Sequence, residues 1–121
     1  VLGEQCRDPF IRQTIRVSMG TIFFIPIVQS QDIRSDLRSL REKHGVELWA
    51  TVLDDDAIPL HQAKRSARIG LLLGNEGPGL ERDVVELCQR KVTIPMRRGT
   101  DSLNVGASCA VFLYQFTAPV S

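Results

Sequence analysis

The sequence predicts an α/β fold, a mostly parallel sheet covered on both faces by helices. Short apolar runs, TIFFIPIV (21–28), VELWATVL (46–53), RIGLLLG (68–74) and KVTIP (91–95), alternate with segments of helical periodicity, the pattern of crossover units around a parallel sheet. The runs are apolar along most of their length, as in strands buried on both faces. One of them, Leu71–Leu73, runs straight into Gly-Asn-Glu-Gly-Pro-Gly. That turn exposes main-chain groups at the end of a buried strand, where ligands of open α/β sheets bind.

Taken in order, VLGEQC supplies the end of a strand or a loop. Asp8 suits an N-cap and Pro9 the first helical position. Phe10, Ile11, Thr14, Ile15 and Val17-Ser18 then form a helical apolar stripe ended by Gly20. The β-branched and aromatic run 21–28 is expected to be a strand, with Pro26 near its end. Gln31-Asp32 starts a second helix, with Ile33, Leu37 and Leu40 at helical spacing, stopped by His44-Gly45. The strand 46–53 leads to Asp54-Asp55-Asp56, which reads as a solvated turn or a magnesium site. PLHQAK (59–64) is a short helix or an irregular crossover before the strand 68–74.

Leu80 to Gln89 reads as a helix with Val84, Leu87 and Cys88 inward. Glu81, Asp83 and Glu86 are acids placed favourably near its start. After the strand 91–95, MRRGTD (96–101) forms a loop. Ser102-Leu103-Asn104 caps an apolar helix from Val105 to about Thr117, with small residues Gly106, Ala107, Ser108 and Ala110 at its start. The element order lacks the opening strand-loop-helix unit of a doubly wound domain. The domain is therefore either small or met partway through.

At 121 residues the chain is expected to form one domain, 1–121, with 43% apolar and 24% charged residues. No run approaches the length that spans a bilayer, and Glu4, Arg7 and Asp8 interrupt any signal-like start. Cys6, Cys88 and Cys109 are too scattered for a disulfide framework, and His44 and His61 are too few for a zinc or iron site. The expected protein is cytoplasmic and metal-free. A net charge of +1 excludes a global polybasic field. The arginines 34, 38 and 41 read as a solvated helix face, whereas Arg97–Arg98 lie in a loop.

Two loops pair in character: GNEGPG after one strand and PMRRGTDSLN after the next, each leading into a helix. If their strands are neighbours, the loops lie side by side. They then offer backbone groups with Glu76, Ser102 and Asn104, beside the apolar Leu73, Ile94 and Leu103. This suits a heterocycle read by main-chain hydrogen bonds on an apolar body. Neither the Gly-Lys-Ser/Thr of a P-loop nor GxGxxG is present.

LLLGNEGPGL and IPMRRGTDSLNVGASCAVFLYQF together resemble the second and third signature motifs of the SpoU (TrmH-like) branch of the SPOUT RNA 2′-O-methyltransferases. DPFIRQTIRVSMGTIFFIPIV resembles the segment preceding them, so the likeness runs from about Asp8 to Phe116. It implies a deep C-terminal trefoil knot in the motif-bearing part, about 68–117, against the usual avoidance of knots. It implies S-adenosylmethionine bound bent between the two loops, with S-adenosylhomocysteine as product, and methyl transfer to a ribose 2′-hydroxyl of tRNA or rRNA by a homodimer. Adenine is then gripped mainly by the backbone at Leu73, Gly74, Ile94, Met96 and Leu103, with Asn75, Glu76 and Gly77 lining the site. Glu76, Ser102 and Asn104 position substrate or the methionine portion. Arg16 matches an arginine of the family pattern and holds RNA phosphate or the loop architecture. Glu76 and Ser102 as helix caps, and Arg16 in a helix-end salt bridge, are the structural alternatives. The family's first motif, an asparagine and an arginine, has no counterpart in VLGEQCRDPF. A non-catalytic RNA-binding or dimerisation module is the alternative that this difference favours.

Overall fold

The computed structural model describes residues 1–4, 6, 8–10, 12, 16, 19, 25–74, 79–96 and 105–117. Two compact units divide the chain, Val1–Asp36 and Leu37–Ser121.

In the first unit, Asp8 Oδ1 accepts the Phe10 amide at 2.9 Å, the N-cap geometry expected of Asp-Pro, and Arg12 and Arg16 are helical. The remaining stripe residues, 11, 14, 15, 17 and 18, lie outside the described residues. The strand expected over 21–28 is not present over 25–28; residues 21–24 lie outside the described set. Pro26 has no N–H to give a ladder, and among the described residues of this unit the pairing is a parallel bridge between Leu2 and Gln29. The Leu2 amide donates to the Val28 carbonyl and the Ser30 amide to the Leu2 carbonyl, both at 2.8 Å.

Helix α1, Ile33–Lys43, starts where its free amides find acceptors. Asp32 Oδ1 takes the Ser35 amide at 3.2 Å and Glu4 Oε1 takes the Ile33 amide at 2.6 Å. The buried Ser30 hydroxyl accepts the Asp32 amide and donates to Asp36. Gly45, at φ +64°, ends the helix as the His44-Gly45 signal predicts.

The second unit holds a four-stranded parallel sheet: β1 Glu47–Thr51, β2 Ile58–Pro59, β3 Ile69–Leu72 and β4 Arg90–Thr93. Its order is β2-β4-β1-β3. Trp49 is level with Leu71 on one side and Arg90 on the other. The sequence reading misses β2, two residues long and half proline, which only an outer strand tolerates. Leu60–Gln62 is a 3₁₀ turn, within the range expected for the crossover.

The β3 and β4 strands are not neighbours, so the condition for the two loops to lie side by side is not met. β1 lies between them. The helix expected over 80–89 contracts to α2, Arg82–Glu86. Its end is set by the sheet, because the Gln89 amide already donates to the Leu48 carbonyl at 3.0 Å. The last helix, α3, runs Val105–Thr117 as expected.

The core forms where α3 meets one face of the sheet. Trp49, Leu60, Val92, Phe112 and Phe116 make one buried cluster. Phe112 and Phe116 share a helix face by their i,i+4 spacing. Trp49 is fully buried, and its indole N–H donates to Glu47 Oε1 at 2.6 Å. The same carboxylate oxygen holds Arg90 Nε at 2.8 Å, and the Arg90 guanidinium lies 5.4 Å from the Trp49 ring centre. On the opposite face Leu48 and Ala50 are also buried, so the sheet is covered on both sides.

Candidate functional site

The three longer strands end together, and side chains fasten those ends. β1 finishes at Thr51, whose hydroxyl donates to the Leu72 carbonyl of β3 at 2.8 Å. The Val52 amide donates to the Val92 carbonyl of β4 at 3.1 Å. The end of β1 is thus clasped to the last residue of β3 and to the next-to-last residue of β4. Leu73–Gly74 and Ile94-Pro95-Met96 leave the sheet just beyond the clasps. Leu73 and Ile94 both rest, partly buried, on the cluster around Trp49. Gly74 and Met96 are half-buried.

The glycine turn is closed on itself. A Cβ on Gly74 would run into the main chain of Gly79 and Leu80, so the strand end and the turn's far limb cross in direct backbone contact. Gly79 has φ +72°, in the left-handed region that glycine enters without steric cost. The turn's two ends are therefore held at a separation only a glycine at position 74 permits.

Of the expected site residues, the second unit brings Leu73, Gly74, Ile94 and Met96 to one end of the sheet. Arg16 belongs to the first unit, where it is helical and exposed and its carbonyl accepts the Met19 amide at 3.2 Å. Asn75, Glu76, Gly77, Ser102, Leu103 and Asn104 lie outside the described residues, as do Arg97 and Arg98. Sequence reasoning missed Thr51. A hydroxyl closing the buried run Leu48–Ala50 is the signal that marks it.

The acidic loop after β1 serves a cation of the chain itself. Asp54 and Asp56 hold the Lys91 ammonium at 3.1 and 3.2 Å. Their hydrogen bonds, Asp54's first, raise the Lys91 pKa above its ordinary 10.5. Among the described residues, no group of three or more His, Cys, Asp or Glu side chains is placed to hold a metal ion. No helix among them is long and apolar enough to cross a membrane. Elsewhere, a groove of about 680 Å³ in the first unit is lined by Leu2, Glu4, Asp8, Phe10 and Ile27 among others. Both acids are engaged there, with the Ile33 and Phe10 amides.

Comparison with known proteins identifies the relatives of the chain. The model of the SpoU rRNA methylase family matches residues 1–114. An uncharacterized tRNA/rRNA methyltransferase of Mycobacterium bovis is 39% identical over 120 residues, covering 97% of this chain and 41% of the relative. A 23S rRNA guanosine 2′-O-methyltransferase of Bacillus subtilis is 31% identical, covering 94% of this chain and 45% of that protein. The crystal structure of an AdoMet-bound rRNA methyltransferase from Sinorhizobium meliloti superposes with a TM-score of 0.85 at 30% identity. That superposition covers 94% of this chain and 43% of the other. The chain thus spans less than half the length of these relatives.

Proposed function

The chain belongs to the SpoU rRNA methylase family, and on that premise we propose that it forms the cofactor-binding part of an RNA methyltransferase. The reaction is methyl transfer from S-adenosylmethionine to a ribose 2′-hydroxyl of tRNA or rRNA. This reading is supported by Leu73 and Ile94, each the first residue past its strand, which pack on one shared apolar cluster. The donor set fits the cofactor. Leu73, Ile94 and Met96 supply apolar contact for a flat heterocycle, and the irregular backbone past two strand ends supplies amides and carbonyls to read its edge.

In this reading Leu73, Gly74, Ile94, Met96 and Leu103 hold the adenine portion, and Asn75, Glu76 and Gly77 line the same pocket. Bound there, S-adenosylmethionine supplies an electrophilic sulfonium methyl. A ribose hydroxyl is a weak nucleophile at neutral pH, so the site must orient it in line and accept its proton. Glu76, Ser102 and Asn104 are the groups we assign to positioning the substrate or the methionine portion, and Arg16 to RNA phosphate or the loop architecture.

We further propose the family's knot for residues 68–117, supported by β4 inserting between the earlier strands β1 and β2. The homodimer is supported by α3, which leaves Val111, Leu113 and Tyr114 exposed while Phe112 and Phe116 are buried.

Calorimetric titration of the folded chain with S-adenosylhomocysteine tests the reading. The expected outcome is saturable binding with a raised Tm, roughly 2.7 kcal/mol of stabilisation at a hundredfold excess over Kd. Absence of both heat and thermal shift at millimolar ligand contradicts it. Labelled methyl incorporation into bulk tRNA or rRNA by the full-length protein tests the reaction itself.

A further inference from the structure

We propose that Arg65 is a positioning residue for the cofactor pocket, setting the axial position of α3 from the far end of the sheet. The assignment rests on the cofactor reading above. Arg65 lies in the connection that enters β3, and its guanidinium gathers three carbonyls. Nη1 donates to Phe116 at 2.5 Å, Nη2 to Ala67 at 3.1 Å and Nε to Ser66 at 3.1 Å. Phe116 is in the last turn of α3, where carbonyls lack intrahelical donors and a cation is favoured by the helix dipole. A planar, five-donor guanidinium satisfies such a cluster in a way a single ammonium does not.

The two kinds of contact on α3 constrain different motions. Phe112 and Phe116 pack against Trp49 and Leu60, which sets the helix's rotation and its distance from the sheet. Sliding along its axis is resisted by the directional bond at Phe116. A helix transmits such a shift as a rod, and Val105 lies roughly 17 Å away at 1.5 Å per residue. Val105 directly follows Ser102, Leu103 and Asn104 in sequence. The same guanidinium binds Ser66 and Ala67, just ahead of the strand that delivers Leu73 and Gly74. One side chain thereby ties together the elements that carry both walls of the pocket.

The test compares Arg65→Ala, Arg65→Lys and, as a matched destabilised control, Leu37→Val in α1. Kd for S-adenosylhomocysteine, Tm and amide exchange are measured on each. Arg65→Ala is expected to weaken binding about tenfold and to speed exchange of amides 109–113 in α3 and of Gly74. Arg65→Lys falls between it and the parent. Leu37→Val lowers Tm but keeps the parent Kd. An unchanged Kd in Arg65→Ala, or an equal loss in Leu37→Val, overturns the proposal. If the parent chain binds no S-adenosylhomocysteine, the cofactor reading fails by itself. The exchange data then decide the mechanical claim, and acceleration confined to residues 114–117 overturns it.

Discussion

Trp49 and Phe116 meet edge to face, ring centres 5.4 Å apart and planes inclined at 76°. The pair joins the central strand to the last turn of α3, and both rings are buried. Edge-to-face aromatic pairs add to the burial of their area. Phe116→Ala should therefore cost about 3–5 kcal/mol, measured by urea denaturation. Phe116→Leu, which keeps most of the volume, should cost less than half of that.

Glu47 satisfies the indole N–H of a fully buried tryptophan. Glu47→Ala leaves that donor without its partner, at a cost of about 1–3 kcal/mol. Glu47→Gln keeps an acceptor and should recover most of it. The ion pair to Arg90 is half-exposed and contributes little, so raising the salt concentration should barely change the difference between the variants.

The two glycines of the turn should respond differently. Gly74→Ala forces main chain against main chain at Gly79–Leu80, so the turn must open and S-adenosylhomocysteine binding should fall at least tenfold. Gly79→Ala meets open space and adds only the strain of a positive φ, about 1 kcal/mol. Calorimetry on both variants separates the effects.

Burial raises the Cys88 thiol from 9.0 to about 11, opposed by nearby Arg41, and its Sγ lies 3.5 Å from the Val84 carbonyl. Cys6 is exposed. At pH 8, iodoacetamide should label Cys6 well before Cys88, read by peptide mass analysis. The unfolded thiol loses its proton near 9 and the folded one near 11, so unfolding in that window releases a proton. Stability should fall as pH rises from about 9 to 11, and Cys88→Ser should flatten part of that slope.

What local pattern controls was legible in the sequence. The helix Val105–Thr117 and the strand running into the glycine turn both follow from periodicity and turn chemistry. The His44-Gly45 stop reads directly from glycine's access to positive φ. Non-local pairing was not legible. Nothing in residues 68–74 or 91–95 tells that VELWATVL lies between them, because strand order is settled by packing of distant segments. Ile58-Pro59 is too short for a periodicity. TIFFIPIV carries strand propensity, yet residues 25–28 make no regular strand. Asp54 and Asp56 bind Lys91 from 37 and 35 residues away, a pairing no local spacing reveals. At the site, Leu73 and Ile94 were readable as apolar residues after strands. Their shared floor and the Thr51 clasp required the sheet.

The cofactor is proposed to bind past the carboxyl ends of β3 and β4. Methyl-labelled protein titrated with S-adenosylhomocysteine tests it most directly, with spectra recorded at each addition. The methyl signals of Leu73, Ile94 and Met96 should move together along one saturating curve, while those of Leu37 and Val84 stay in place. Saturable shifts elsewhere with these three unmoved, or no shifts at millimolar ligand, would rule out a cofactor site at these strand ends.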